Sequence, residues 1–298
     1  MLRFLPAPIK GAVSLLLHIV STLILVGPLF LFALLKLVLP VPGFRTLCNH
    51  LLNGIASTWV ATNNLIHSQT KRIDWTVEGV DELKLNDWYL VLANHQSWTD
   101  IFVLQKVFNR RIPFLKFFLK QELIYVPVIG LAWWALDFPF MKRHSKEYLK
   151  KHPEMKGKDA ETTRRACEKF RHIPISVMNF VEGTRFTPEK HDKQNSPFKH
   201  LLKPKAGGTG LVLSAMGDQL HRLLDVTIVY PKGAGSFWDF LCGKVQDIRV
   251  HVRSLPITPE LVGDYENDNE YRARFQQWLN ALWHEKDARI EAMLKTPG

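Results

Sequence analysis

The stretch WYLVLANHQSWTDIFVLQKVF, residues 88–108, decides the expected fold. Its first six residues are apolar or aromatic, which predicts a buried β-strand over 88–93. A polar turn follows, and residues 98–108 then have the apolar spacing of a helix. A buried strand that passes through a polar turn into a helix is the repeating unit of an α/β protein.

The chain beyond residue 70 repeats this alternation, and a second buried strand at 175–181 also ends in a polar turn. The sequence therefore predicts an α/β fold with a mixed, mainly buried sheet flanked by helices. The other expected strands are 75–80, 226–230 and 248–252, and the expected helices are 160–172, 207–220 and 268–294.

Composition divides the chain into three expected domains: a membrane-associated helical segment (1–70), the α/β domain (71–255) and a C-terminal amphipathic helix packed on it (256–298). The apolar stripe that predicts this packing consists of Phe275, Trp278, Leu279, Leu282 and Trp283.

The N-terminal segment is apolar over a membrane-compatible length. From residue 11 to 39, 21 of 29 residues are Ala, Val, Ile, Leu or Phe. This exceeds the roughly 20 residues that cross a bilayer and is too long for a signal peptide core, so a retained anchor is favoured over a cleaved leader. Pro28 predicts a kink or a break, and residues 47–66 predict a second, amphipathic helix. Basic residues flank both sides, so whether the helices span the bilayer or lie in one leaflet stays open.

The charge of the chain indicates an anionic partner. Lys and Arg number 39 against 28 Asp and Glu, a formal net charge of +11 over 298 residues. The excess is concentrated in residues 106–205 and suits nucleic acid, an anionic bilayer or a phosphorylated substrate. The three cysteines are widely separated, which excludes a disulfide scaffold and a cysteine-based zinc site.

The first polar motif, NHQSWTD at 94–100, places His95 and Asp100 five residues apart. They can meet across the turn into the helix, where the carboxylate would fix the imidazole tautomer and make the other ring nitrogen a general base. The alternative is a helix-capping aspartate beside a core histidine, and the spacing alone does not decide between the two.

The second polar motif contains Glu182, Gly183, Thr184 and Arg185 at the end of the strand 175–181. Ligands of open α/β sheets bind beyond the carboxyl ends of strands, and an arginine there offers a planar fork for phosphate. The alternative is a simple turn with an exposed arginine. A substrate site is favoured because both motifs lie at strand ends, inside or beside the most basic part of the chain.

Together these motifs resemble the glycerolipid acyltransferases, the family of the 1-acylglycerol-3-phosphate (lysophosphatidic acid) acyltransferases. NHQSWTD is similar to the family's His-x4-Asp block, and FVEGTRFT at 180–187 is similar to its Glu-Gly-Thr-Arg block. Other stretches, such as FQQWLN at 275–280, resemble a bacterial membrane-bound branch related to lysocardiolipin-type enzymes.

Three looser blocks extend the resemblance: LKQEL (119–123), which contains Lys120, FPFMKR (138–143), which ends in Arg143, and VTIVYP (226–231). The last two depart from the common family pattern. Because the resemblance implies that these blocks contact the acyl acceptor, the identity of the acceptor stays open.

The resemblance implies a membrane-bound O-acyltransferase. A fatty acyl group would pass from acyl-CoA or acyl-carrier protein to the sn-2 hydroxyl of 1-acylglycerol-3-phosphate or a related lysophospholipid. His95 would be the general base, Asp100 would orient it, and backbone N–H groups near Gly183 would hold the oxyanion. Glu182 would position the glycerol or an arginine. The residues expected to bind the acceptor are Lys120, Arg143, Glu182, Gly183, Thr184 and Arg185.

The same resemblance implies no metal and no cofactor besides the thioester co-substrate. The expected partners are the two substrates, membrane lipids and, as one donor, acyl-carrier protein. The expected location is the inner membrane, with the catalytic domain facing the cytoplasm.

Other functions have less support. A membrane-tethered protein that binds nucleic acid or lipid without catalysis would use the basic stretch 142–171, but no nucleic-acid-binding motif accompanies it. A serine hydrolase would need a Gly-x-Ser-x-Gly elbow, which the sequence lacks.

Overall fold

The computed structural model of the protein describes residues 2–39, 41–141, 158–168 and 173–296. In chain order its helices and strands are α1 (Ala7–Val38), α2 (Pro42–Thr70), β1 (Asp74–Glu78), β2 (Tyr89–Ala93), α3 (Thr99–Phe108), β3 (Leu115–Phe117), β4 (Leu119–Lys120), α4 (Ile129–Ala135), β5 (Phe140–Met141), α5 (Lys158–Glu168), β6 (Ser176–Phe180), α6 (Pro188–Gln194), α7 (Ala206–Met216), β7 (Arg222–Val229), α8 (Phe237–Leu241), β8 (Asp247–Pro256) and α9 (Asn269–Lys295).

The two N-terminal helices α1 and α2 pack side by side and antiparallel. Among the described residues α1 is the one helix long and apolar enough to cross a membrane. Pro28 lies inside α1, so the break considered at this proline does not occur and the helix continues past it.

A polar stripe joins α1 to α2. The Trp59 indole donates to Thr22 at 2.9 Å, and the His18 and His67 rings are joined by a 2.9 Å contact between their Nε2 atoms. Lys71, just past the end of α2, donates to Ser14 at 3.3 Å. Residues four apart lie on one face of a helix, so these contacts fix how the two helices align.

The main sheet has six strands in the order β1-β8-β7-β2-β6-β3. β7 and β8 are antiparallel and all other neighbours are parallel, so the predicted mixed sheet is confirmed. Helices α7 and α9 cover one face of the sheet, and α3 and α8 cover the other. Ala93 at the end of β2 pairs with Phe180 at the end of β6 and with Val226 in β7. The chain therefore leaves β2 and β6 side by side, at one edge of the sheet.

Several short elements were not predicted: β3, α6 and α8 have three to seven residues and no periodic pattern. Within the apolar stretch 123–140, the helix α4 packs on the end of α1, and Lys36 forms a 2.5 Å ion pair with Asp137. The interpretation of this stretch as a buried or interface segment agrees with its short, interrupted helix.

The C-terminal helix α9 packs on the sheet as predicted, with Phe275, Leu279 and Trp283 buried. The division into domains at residues 70 and 255 stays a prediction, since α1 also packs against α4 and α8 of the α/β part.

Candidate active site

His95 and Asp100 meet at the edge of the sheet where β2 ends. The Nδ1 atom of His95 lies 2.8 Å from Oδ2 of Asp100. The same oxygen accepts the backbone N–H groups of Gln96 at 2.6 Å and Ser97 at 2.9 Å. The carboxylate is fully buried at the N-terminus of α3, where N–H groups and the helix dipole stabilise negative charge. The turn predicted between the two residues is therefore built around the carboxylate.

The second oxygen of Asp100 is also occupied. Tyr230, just past β7, donates its hydroxyl to Oδ1 at 2.6 Å. Burial, together with the charge of Asp100, raises the pKa of Tyr230 well above its usual value, so the phenol remains a donor. Sequence reasoning missed this contact, because Tyr230 and Asp100 are 130 residues apart.

The imidazole ring of His95 stacks on Phe180, with ring centroids 3.9 Å apart and an interplanar angle of 13°. The side chain is 14% exposed. Its Nδ1 is engaged by Asp100, so Nε2 is the ring nitrogen that can face a substrate. Asn94 holds the preceding residue in place, exchanging two 2.9 Å hydrogen bonds with the backbone of Ile228.

Glu182 lies beneath this surface rather than on it. The side chain is fully buried. Its Oε1 accepts the backbone N–H of His95 and its Oε2 that of Leu202, both at 2.9 Å. Burial raises the pKa of Glu182 to about 7, although the two N–H donors lower it. The expected task of positioning glycerol or arginine is corrected, since this carboxylate supports the backbone of His95.

The turn after Glu182 carries the cationic part of the site. Gly183 has φ +70°, a conformation that glycine adopts without strain, and its N–H donates to the Phe180 carbonyl at 2.9 Å. This N–H is therefore not available for an oxyanion. The guanidinium of Arg185 lies over the exposed Trp98 ring, 5.0 Å from its centroid.

Two lysines that sequence reasoning did not name lie beside this turn. Lys190 donates to the Thr184 hydroxyl at 2.8 Å and to the Arg185 carbonyl at 2.9 Å. The side chain of Lys205 passes Gly183 closely enough to leave little room for a Cβ there. With Arg185 they make this edge of the site positively charged.

The remaining expected residues are placed less directly. Lys120 is exposed on β4, which pairs with β5 rather than with the main sheet. Arg143 lies outside the described residues. Among the described residues no group of three or more His, Cys, Asp or Glu side chains is arranged to hold a metal ion.

Comparison with known proteins agrees with this architecture. The sequence model of the family described as Acyltransferase matches residues 74–231. The human 1-acyl-sn-glycerol-3-phosphate acyltransferase delta is 27% identical over 221 residues, which are 70% of this chain and 53% of that protein. The mouse gamma form is 28% identical over 190 residues, 60% of this chain and 45% of that protein. The chain thus spans about half the length of the curated relatives it matches.

A solved structure shows the same fold. The 1-acyl-sn-glycerophosphate (LPA) acyltransferase PlsC from Thermotoga maritima aligns over 97% of this chain and 99% of its own, with a TM-score of 0.51 and 15% identity. The matched region 74–231 contains both polar motifs and Tyr230. The chain therefore belongs to the glycerolipid acyltransferase family that its motifs resemble.

Proposed function

We propose that the protein transfers a fatty acyl group from an acyl thioester to a hydroxyl of a lysophospholipid. The observation that carries this proposal is the His95–Asp100 pair, whose carboxylate holds Nδ1 and leaves Nε2 towards the open side of the site. No protein nucleophile is required, because the acceptor hydroxyl is itself the nucleophile once its proton is removed.

His95 takes the proton of the acceptor hydroxyl at Nε2, while Asp100 stabilises the resulting imidazolium. The oxygen attacks the thioester carbonyl and a tetrahedral intermediate forms. Its collapse breaks the C–S bond, and the imidazolium returns the proton to the departing thiolate. An ester and a free thiol are produced, and His95 is again neutral.

The acceptor proposed is 1-acylglycerol-3-phosphate or a related lysophospholipid, acylated at sn-2. The names of the relatives and the cationic turn around Arg185 support this choice. Stacking on Trp98 holds the guanidinium in position to take a phosphate, and Lys190 and Lys205 add charge beside it. Lys120 and Arg143 remain proposed members of the phosphate site, and both acyl-CoA and acyl-carrier protein remain candidate donors.

We place the site against a lipid surface. The exposed apolar residues Tyr125, Leu131 and Trp134 lie on or beside α4, next to the apolar helix α1. Large exposed apolar patches mark interaction sites, and a lipid-bound substrate needs such contact. Of the aromatic residues 133, 134 and 138 that the sequence offered for this rim, Phe138 is buried. The inner membrane and a cytoplasmic orientation remain the proposed location.

The test is an acyl-transfer assay in purified membranes, with a labelled acyl thioester and a panel of lysophospholipids. We expect transfer by the wild-type protein and loss of at least about a hundredfold in His95→Ala. His50→Ala, at an exposed position on α2, is the matched control. Undiminished turnover in His95→Ala would end the proposal, and absence of any turnover would favour a binding protein.

A further inference from the structure

The C-terminal helix α9 brings a lysine into the core beside the candidate site. Lys286 is fully buried. Its Nζ lies 2.5 Å from Oδ1 of Asp225 on β7 and donates to the carbonyl of Val226 at 2.5 Å. A lysine without exposure is rare, because a buried ammonium is costly unless it is paired.

The pair is part of a larger charged group. Asp225 is itself buried, and its Oδ2 accepts a 3.1 Å hydrogen bond from Arg253 on β8. Arg253 in turn pairs with the exposed Glu285, one residue before Lys286. The fold invests four charged side chains in holding one ammonium at this depth, which calls for a reason beyond packing.

The location of the ammonium suggests that reason. Val226, whose carbonyl it binds, is paired in the sheet with Ala93, and Ala93 with Phe180. Ala93 is two residues before His95, and Phe180 is two residues before Glu182. Lys286 therefore lies beside the level at which β2 and β6 end, and its charge acts on Glu182.

We infer that Lys286 is a positioning residue for the proposed acyl transfer: its charge keeps Glu182 ionised, so that both carboxylate oxygens can accept the N–H groups that fix His95. The inference rests on the proposed function and adds the C-terminal helix to the machinery of the site. A protonated Glu182 would present a hydroxyl donor to the N–H of either His95 or Leu202, and one of the two bonds would be lost.

The charges around Glu182 nearly balance, which makes the lysine decisive. Burial raises the pKa of Glu182 to about 7, and the negative charge of Asp100 raises it further. The two N–H donors and Lys286 lower it. Lys286 itself faces Asp225, which favours its charged form, and Arg253, which opposes it. Without Lys286, Glu182 would be protonated over more of the neutral pH range.

The experiment compares Lys286→Met with Lys295→Met, the same substitution at an exposed position of the same helix. The value of kcat/KM is measured from about pH 5 to about pH 9. We expect the acid limb of the Lys286→Met profile to move upwards by about one pH unit, with activity recovering at alkaline pH. The Lys295→Met profile should superimpose on that of the wild type. A loss of equal size at every pH in Lys286→Met would reduce the lysine to a structural role and overturn the inference.

A second background isolates the partner. In Glu182→Gln no carboxyl remains to titrate, so adding Lys286→Met should produce no further shift of the limb; a full shift there would also contradict the inference. If Lys286→Met does not fold, Lys286→Met/Asp225→Asn removes both buried charges and should show the same shift.

A readout without substrate separates this inference from the proposed function. The infrared band of the protonated Glu182 carboxyl, identified by its loss in Glu182→Gln, should titrate about one unit higher in Lys286→Met. A shifted band in a protein without acyl transfer would reject only the proposed function. An unshifted band with normal transfer would reject only the role of Lys286.

Discussion

The hydroxyl of Tyr230 donates a 2.6 Å hydrogen bond to Oδ1 of Asp100, the carboxylate oxygen that His95 does not use. With this bond both oxygens of a fully buried carboxylate are satisfied, and the side chain that orients His95 has no freedom to turn. The block VTIVYP at 226–231, which the resemblance assigns to acceptor contacts, therefore also supports the catalytic pair.

Tyr230→Phe should lower kcat without a matching change in the acceptor KM. The substitution leaves one oxygen of a buried carboxylate without its donor, at a cost of about 1–3 kcal/mol, and we expect about a tenfold loss of kcat. Tyr125→Phe is the control, since Tyr125 is 82% exposed. Unchanged kinetics in Tyr230→Phe would show that the backbone donors alone hold Asp100.

Arg185→Ala should raise the acceptor KM about tenfold or more while kcat changes less, because a charge-assisted contact to the phosphate is lost in both ground and transition states. The comparison substrate is a 1-acylglycerol without phosphate, for which the two proteins should differ little. Arg274→Ala, at an exposed position on α9, controls for the loss of one surface charge. Equal KM values for the phosphorylated acceptor would remove Arg185 from the proposed site.

Glu182 should give folding stability an unusual pH dependence. Its pKa is about 7 in the folded protein against an ordinary 4.5 in the unfolded chain. Between these values the folded protein binds one more proton than the unfolded chain, so this group's contribution to stability falls as the pH rises from about 4.5 to about 7 and is constant above. Thermal unfolding over this range should show a shallower decline in Glu182→Gln. The exposed Glu82→Gln serves as control, and an identical slope in all three proteins would assign the proton to another group.

Leu131→Ser should weaken binding to vesicles of anionic phospholipid. Loss of a half-exposed leucine from the lipid contact corresponds to about 1 kcal/mol, or about a fivefold lower partition coefficient. Leu85→Ser is closely matched, because Leu85 is 53% and Leu131 54% exposed, and Leu85 precedes β2 at the other edge of the sheet. Equal effects of the two substitutions would argue against α4 as the lipid-facing element.

The sequence predicts the parts of the site that are local in the chain. His95 and Asp100 are five residues apart and share one strand–turn–helix unit, so their contact follows from a pattern that a single stretch contains. Glu182 was correctly placed at the end of a strand, but the direction of its side chain depends on Leu202, which approaches from a later loop.

The distant parts could not be predicted because they depend on strand register. Tyr230 reaches Asp100 only because β7 lies next to β2 with Val226 beside Ala93. Lys286 resembles any charged residue of an amphipathic helix until the packing of α9 brings it to Asp225. Pro28 shows the converse error, since the surrounding apolar residues sustain a helix that the proline alone would have ended.

Helix α1 is attached to the α/β part of the protein near both of its ends. Close to its start, Gly11 fits against Cys242 and Trp238 so tightly that a Cβ would collide with the sulfur. Close to its other end, Lys36 is paired with Asp137. A helix that crosses a bilayer delivers its two ends to opposite faces, about 30 Å apart across the hydrocarbon. Because both ends of α1 meet one water-facing body, its apolar length is better suited to float in a single leaflet, like a keel along the protein, than to thread through both.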